Sequence, residues 1–262
     1  MKKLFSKIIA ASIRAILALF CVLPLYFLIL SQPQNLFAYK INYGRFAVYS
    51  DEPISSELLN SFDAVEKRIG SIEIIDSTFS PTVFICGSRT LYSIFTTLTG
   101  KNSNSQGLTL SLFGYTFINK SHVDEINKYH NPRIKHCHLT GEIDQVISHE
   151  MMHNLIVRKI GWFETLETPA WKLEGYAEYG STITKIKRDS NTSLFRRAQI
   201  LFRDDLLGAT PHSKFYYKSQ LIIEYLSEVK NYSFDRIFDK FLTEDEVLSD
   251  FWRWYLLSQS NS

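Results

Sequence analysis

The sequence has few cysteines, no marked excess of either charge and no internal repeat. Three cysteines among 262 residues provide little disulfide framework. Lys and Arg number 29 against 27 Asp and Glu, and this formal charge of +2 argues against nucleic acid or a strongly acidic substrate as the partner. The hydrophobic content of 45% excludes a disordered chain, and it allows one sizeable core or two closely apposed lobes.

The cysteines do not form a metal motif. Cys21 lies inside an apolar run, so only Cys86 and Cys137 remain for a folded domain. A single disulfide between them and two free thiols are both open. Cys137 stands between His136 and His138, which alternation would place on one side of a strand. No further ligand lies at a short spacing, so solvated or core histidines are the favoured interpretation.

The N-terminus has the pattern of an export or anchoring signal. The apolar stretch Ile8 to Leu30 is long enough to span a bilayer, and its part from Ala15 to Leu30 carries no charge. A cleaved signal peptide is the alternative, although residues 31–40 offer no clear small-x-small cleavage site. Cations are confined to the start of this region: Lys2, Lys3, Lys7 and Arg14.

This distribution predicts the topology of the chain. Residues 1–14 form a basic cytoplasmic segment, 8–30 a transmembrane signal-anchor, and the rest is extracytoplasmic, or secreted if the N-terminal segment is cleaved. Residues 31–39 are expected to be a linker that resists regular structure, and residues 40–262 the folded domain.

Hydrophobic periodicity predicts strands before residue 140 and helices after it. FAVYS (Phe46 to Ser50) and PTVFICG (81–87) are strand candidates, separated by a helix that ends at Gly70. A second helix, capped by Ser88, is expected to run through Leu98. LTLSLFGYTFIN (108–119) is either one bent strand or a hairpin around Gly114. Helices are then expected at about 141–160, 169–185, 193–207, 213–230 and in the last thirty residues, which gives an α+β fold.

The helix at about 141–160 contains an H-E-x-x-H motif, His149-Glu150-Met151-Met152-His153. Residues four apart on a helix share one face, so both imidazoles can bind one metal ion. Glu150 lies at the edge of that face, where it can take a proton from an attacking water molecule. The downstream segment Pro169 to Tyr179, PAWKLEGYAEY, supplies Glu174 as a third ligand of a His₂Glu zinc site.

The two motifs together resemble the gluzincin metallopeptidases, in particular their compact peptidase-MA-like domains. The resemblance is strong over residues 140–180 and implies that Glu174, the glutamate before the glycine, is the third zinc ligand. It also implies a thermolysin-like fold, with a small mixed sheet and helices followed by a mainly helical half. Here that fold would be preceded by one N-terminal transmembrane helix.

Other residues near the motifs have candidate roles. Glu178, one turn after Glu174, can accept a hydrogen bond from the far nitrogen of a zinc-binding histidine or can be a solvated carboxylate. Trp171 and Tyr179 are expected to be packing residues.

The segment PHSKFYYKSQLIIEYL (211–226) resembles the family's tyrosine-bearing helix. This resemblance implies Tyr216 as the donor to the oxyanion, with Tyr217 as the immediate alternative and an ordinary core aromatic as the competing interpretation. His212 is a weaker candidate.

The resemblance further implies that the strand around GYTFIN (114–119) is a sheet edge where an extended peptide pairs. The G-x-M-E-N motif of the aminopeptidases is absent, so an endopeptidase acting on peptides or proteins is expected. The alternative is a catalytically silent zinc-binding module for assembly at the membrane. Retention of Glu150 argues against that alternative, because metal binding does not require the base.

Overall fold

The computed structural model describes residues 12–13, 20, 22–97, 99–129, 142–188, 193–203 and 210–260. Its architecture is α+β: a mixed five-stranded sheet with helices comes first, and a mainly helical part follows. The fold class predicted from the change of hydrophobic period is therefore confirmed at this level.

The strands form one sheet with the order β1-β2-β3-β5-β4. Pairing is antiparallel at the two outer pairs, β1 with β2 and β4 with β5, and parallel between β2, β3 and β5. The strands are β1 Tyr39–Tyr43, β2 Phe46–Ser50, β3 Thr82–Cys86, β4 Gly107–Leu110 and β5 Tyr115–Asn119.

Both faces of the sheet are covered, because alternate side chains of a strand point to opposite faces. Val83, Ile85 and Ile118 belong to the larger core cluster, under the helices. Phe84 and Phe117 belong to a smaller cluster on the other face. The H-E-x-x-H motif lies on the face of the sheet that the larger cluster covers.

Most of the helices lie in the second half of the chain. The Ser88 cap is confirmed, since its side chain accepts a hydrogen bond from the backbone N–H of Leu91. A π-helical turn, Tyr225–Val229, continues the eighth helix. The helices are α1 Ser56–Ile69, α2 Arg89–Thr96, α3 Lys120–Tyr129, α4 Ile143–Ile160, α5 Trp162–Glu167, α6 Ala170–Arg188, α7 Leu194–Phe202, α8 Pro211–Glu224, α9 Phe234–Ile237 and α10 Glu244–Gln259.

The segment around Gly114 is a hairpin, which was one of the two alternatives, but the edge position expected for its second strand is wrong. Gly114 has φ +68° in the turn between β4 and β5, a conformation that glycine adopts without strain. The strand in GYTFIN, Tyr115–Asn119, pairs on both sides and is not a sheet edge. The edge strand at this end of the sheet is β4, Gly107–Leu110, and β1 forms the other edge. The hydrophobic alternation that revealed both strands did not reveal their order in the sheet.

The region expected to be an irregular linker has local structure. Residues 22–31 are helical, and Pro33–Leu36 form one turn of 3-10 helix. Phe37 is buried in the smaller core cluster, and Tyr39 already belongs to β1. These apolar contacts outweigh the tendency of the polar residues around Pro33 to remain irregular.

Among the described residues, no helix has the length and apolarity needed to cross a bilayer. Almost all of the predicted basic segment 1–14, and about half of the predicted span 8–30, lie outside the described residues.

Two further expectations also lie outside the described residues. They concern the His136, Cys137 and His138 cluster and the helix start at Thr140 and Gly141. Cys86 is buried and forms no disulfide with another residue of the described part.

Candidate metal centre

The H-E-x-x-H motif lies in the middle of helix α4, as predicted. The helix carries Asp144 in its first turn and Arg158 in its last. Each charge is opposite in sign to the end of the helix dipole beside it, so both stabilise the helix. It ends at Gly161, whose φ of +90° breaks the helical conformation. Met151, Met152 and neighbouring apolar residues bury one side of α4 in the larger core. That packing fixes the direction in which the histidines point.

His149, His153 and Glu174 converge on one point. The Nε2 atoms of the two histidines are 3.2 Å apart. Oε2 of Glu174, on helix α6, lies 3.3 Å from Nε2 of His149 and 3.4 Å from Nε2 of His153. The three atoms form a nearly equilateral triangle, so this group could hold a metal ion.

The chemistry of these atoms fits a cation. Oε2 of Glu174 is buried and has no hydrogen bond of good geometry from the described residues. Two imidazole nitrogens and a carboxylate oxygen this close together present three lone pairs to the same point. Leaving such groups unsatisfied in a buried site is costly, and a shared cation removes that cost.

Glu178 lies beside the His149 ring nitrogen that is not part of the ligand triangle. Its Oε1 lies 3.1 Å from Nδ1 of His149, and the residue is buried, which makes the solvated-carboxylate interpretation wrong. A proton on Nδ1, on the side of Glu178, leaves the Nε2 lone pair for a ligand. Burial lowers the pKa of His149, but the charges of Glu178 and Glu174 outweigh it and hold that pKa well above its ordinary value, so a metal ion binds His149 in competition with a proton.

A buried arginine contacts both α4 and α6, the helices that carry the candidate ligands. Arg68, on α1, forms an ion pair with Asp144 at the start of α4. It also donates a hydrogen bond of 2.5 Å to the carbonyl oxygen of Ser181 on α6. The relative position of His149 and Glu174 is thus fixed by contacts outside the metal centre.

Glu150 stands beside the ligand triangle, against strand β4. The hydroxyl of Thr109 lies 2.8 Å from Oε2 of Glu150 and donates to this carboxylate or to the Glu150 carbonyl oxygen at 2.7 Å. A Cβ atom added to Gly107 would lie only 2.5 Å from Cγ of Glu150. Glycine at this position therefore lets the glutamate side chain approach the edge strand.

Sequence reasoning missed Thr109 and Gly107. Thr109 is 41 positions from Glu150 in the chain. Neither residue belongs to a motif, and their relevance depends on how β4 packs against α4. The sequence contains no signal from which they could have been found.

Tyr216 and Tyr217, the two candidates for the oxyanion donor, differ in their contacts. The Tyr216 ring is 6.1 Å from the His149 ring, so this tyrosine faces the metal centre. Burial raises the pKa of Tyr216, and the charges of Glu174 and Glu150 raise it further, which keeps its hydroxyl protonated. Tyr217 instead donates a hydrogen bond to the Arg197 carbonyl oxygen at 3.1 Å. The His212 ring packs against Tyr216 at 4.6 Å.

Trp171 and Tyr179 are buried packing residues, as predicted. The Tyr179 hydroxyl donates to a carboxylate oxygen of Glu228 at 2.6 Å, away from the metal centre.

No protein-family model matches the chain, and no characterised protein is significantly similar to it in sequence.

Proposed function

We propose that this protein is a membrane-anchored, zinc-dependent peptidase of the gluzincin type. The observation that carries this proposal is the triangle of His149, His153 and Glu174 with a non-ligand carboxylate and a tyrosine hydroxyl beside it. Metal binding as such needs only the triangle. A hydrolytic site also needs a base and a donor for the oxyanion, and Glu150 and Tyr216 occupy suitable positions.

The spacing of the three ligand atoms supports zinc. Atoms about 2.0–2.1 Å from a tetrahedral zinc ion lie about 3.3–3.4 Å from one another. The separations here are 3.2, 3.3 and 3.4 Å. A His₂Glu set is a standard choice for catalytic zinc, because it leaves one coordination position open. When bound, zinc supplies Lewis acidity toward a water molecule and a substrate carbonyl group.

Glu150 acts as the general base in this proposal. Its carboxylate accepts a proton from the attacking water and then donates that proton to the leaving amine. Tyr216 donates a hydrogen bond to the carbonyl oxygen as negative charge develops on it. Glu178 holds the His149 imidazole in the tautomer that leaves Nε2 free.

The substrate is a peptide or protein segment, and the reaction is more consistent with an endopeptidase than with an aminopeptidase. The edge strand β4 offers unpaired backbone groups next to Glu150, where an extended peptide could add to the sheet. Membrane attachment through residues 8–30 would place the domain from residue 40 outside the cytoplasm.

The test combines metal analysis with peptide cleavage on the full chain in detergent. We would measure zinc per chain and turnover of a quenched mixed-peptide library for wild type, Glu150→Gln and Glu174→Gln. Glu167→Gln is the matched control, because Glu167 is exposed on the neighbouring helix α5.

We expect one zinc per chain in every protein except Glu174→Gln. Turnover should persist in wild type and the control, and should fall by about 10²–10⁴-fold in Glu150→Gln, which lacks the base. If zinc is bound but neither wild type nor any variant cleaves peptides, the alternative of a catalytically silent assembly module is favoured. Wild-type protein without zinc, even after zinc is supplied, would refute the ligand assignment.

A further inference from the structure

An apolar surface lies next to the metal centre, on the other side of the edge strand. It consists of the outward side of the helix at residues 22–31 and the turn between β4 and β5. Phe27 on the helix and Leu112 in the turn have exposed fractions of 55% and 67%. Val22, Leu23, Leu25 and Leu28 are also exposed on the helix.

The helix and the turn are held together as one surface. The Tyr26 hydroxyl donates to the Ile94 carbonyl oxygen at 2.6 Å. The Phe27 and Phe113 rings are 5.6 Å apart, and the Tyr115 hydroxyl donates to the Ser31 carbonyl oxygen at 3.2 Å. Ile29 and Leu30 pack against the smaller core cluster. The helix is therefore docked on the domain and is not a free tether.

The surface is uncharged as well as apolar. Residues 15–39 contain no Asp, Glu, Lys or Arg, and neither do residues 102–119. Soluble proteins rarely expose contiguous apolar areas of this kind, because water contact with them is unfavourable. A surface helix in water normally exposes a polar face, but the exposed face of this helix is apolar.

We infer that this surface lies in the outer leaflet of a membrane, with lipid as its occupant. Chain continuity favours lipid over a second copy of the protein. The uncharged run Ala15 to Leu30 leads directly into the docked helix, and contacts to the domain begin at Tyr26. Tyr26 precedes the end of that run by four residues, about 6 Å along a helix. If the run enters the bilayer, the domain must meet lipid where the helix emerges.

This placement defines the substrate class, and that step rests on the proposed function. Thr109 contacts Glu150, and Leu112 is three residues further along the chain. Leu112 lies in the turn after β4, and three residues span at most about 10 Å, so Glu150 lies close to the lipid surface. This short distance brings within reach of the site a peptide bond that lies within a few residues of the bilayer. The substrates are therefore the juxtamembrane segments of membrane-bound proteins.

The experiment detects lipid contact without requiring turnover. Benzoylphenylalanine replaces Leu112 in the full chain, which is reconstituted into phosphatidylcholine vesicles and irradiated. Replacement of Leu257, on α10, is the matched control because its exposed fraction is also 67%. Cooperative thermal unfolding of both proteins verifies that they are folded.

We expect the Leu112 probe to crosslink to lipid with a yield several-fold above that of the Leu257 probe. Equal yields, or crosslinking of the Leu112 probe to a second copy of the chain, would overturn the inference. Because crosslinking does not depend on zinc or on Glu150, an inactive protein that still crosslinks to lipid would contradict only the proposed function.

The substrate class is tested separately with model substrates that have one membrane-spanning segment. The cleavable sequence is placed at increasing distances from that segment. Turnover should fall as the spacing grows, and turnover that is independent of spacing would contradict the juxtamembrane assignment.

Discussion

At the scale of single residues, the hydroxyl of Thr109 holds the carboxylate of Glu150. The contact joins β4 to the middle of α4. A hydroxyl that donates to a carboxylate limits the rotamers of the glutamate, which under the proposed function keeps it aimed at the attacking water. Precise placement of a base contributes to the rate because small displacements are costly.

Replacing Thr109 by Val removes this donor at nearly constant volume. We expect kcat to fall by about 10- to 100-fold, since a hydrogen bond to a charged group is worth about 1.5–3 kcal/mol. Zinc content should not change, because Thr109 touches no ligand. Thr109→Ser restores the hydroxyl and should recover most of the rate. Loss of zinc in Thr109→Val would instead indicate a structural role.

The adjacent tyrosines give a second test at this scale. Tyr216→Phe removes the proposed oxyanion donor, so kcat should fall by about 10²–10³-fold with little loss of stability. Tyr217→Phe should leave kcat nearly unchanged and lower the free energy of unfolding by about 1 kcal/mol, because the Arg197 carbonyl oxygen loses its donor. Steady-state kinetics and urea unfolding would distinguish them, and the opposite pattern would reverse their roles.

At the scale of secondary-structure elements, Gly175 sets the distance between α6 and α8. A Cβ atom on Gly175 would lie 2.6 Å from the Ser219 carbonyl oxygen and 2.8 Å from Cγ1 of Ile223. The glycine that follows the third ligand thus allows close helix packing. That packing brings Tyr216, on α8, toward Glu174, on α6.

Gly175→Ala should therefore separate the two helices. We expect a loss of about 1–3 kcal/mol in the free energy of unfolding, as for other overpacked sites, and a drop in kcat as Tyr216 moves away. Gly180→Ala is the comparison, because there the added Cβ would meet the flexible Met152 side chain. Urea unfolding of both variants would test this, and equal losses would contradict the argument from backbone contact.

The same elements show what the sequence could and could not predict. The ligand helix α4 could be predicted because His149 and His153 repeat at helical spacing and Gly161 ends the run. The docked helix at 22–31 and the edge position of β4 could not, because both depend on contacts between distant segments. Strand β1 and helix α5 were missed because they are short and mostly exposed, so their hydrophobic periodicity is weak. Helix α3 was also missed, although its apolar residues repeat at helical spacing.

At the scale of the whole molecule, the metal centre links two helices that pack on each other in the larger core. His149 and His153 come from α4, and Glu174 comes from α6. A ligand that binds only the folded state stabilises it by an amount that grows with ligand concentration. The unfolded chain separates these three residues, so bound zinc should oppose unfolding of the entire domain.

Zinc should accordingly raise the free energy of unfolding by about 2.7 kcal/mol when its free concentration is 100 times its dissociation constant. Urea unfolding of the full chain in detergent, with and without a chelator, measures this difference. Glu150→Gln should keep the whole increment, because Glu150 is not a ligand, whereas Glu174→Gln should lose most of it. An equal increment in all three proteins would mean that zinc stabilises the fold from another site, and the triangle would then no longer explain metal binding.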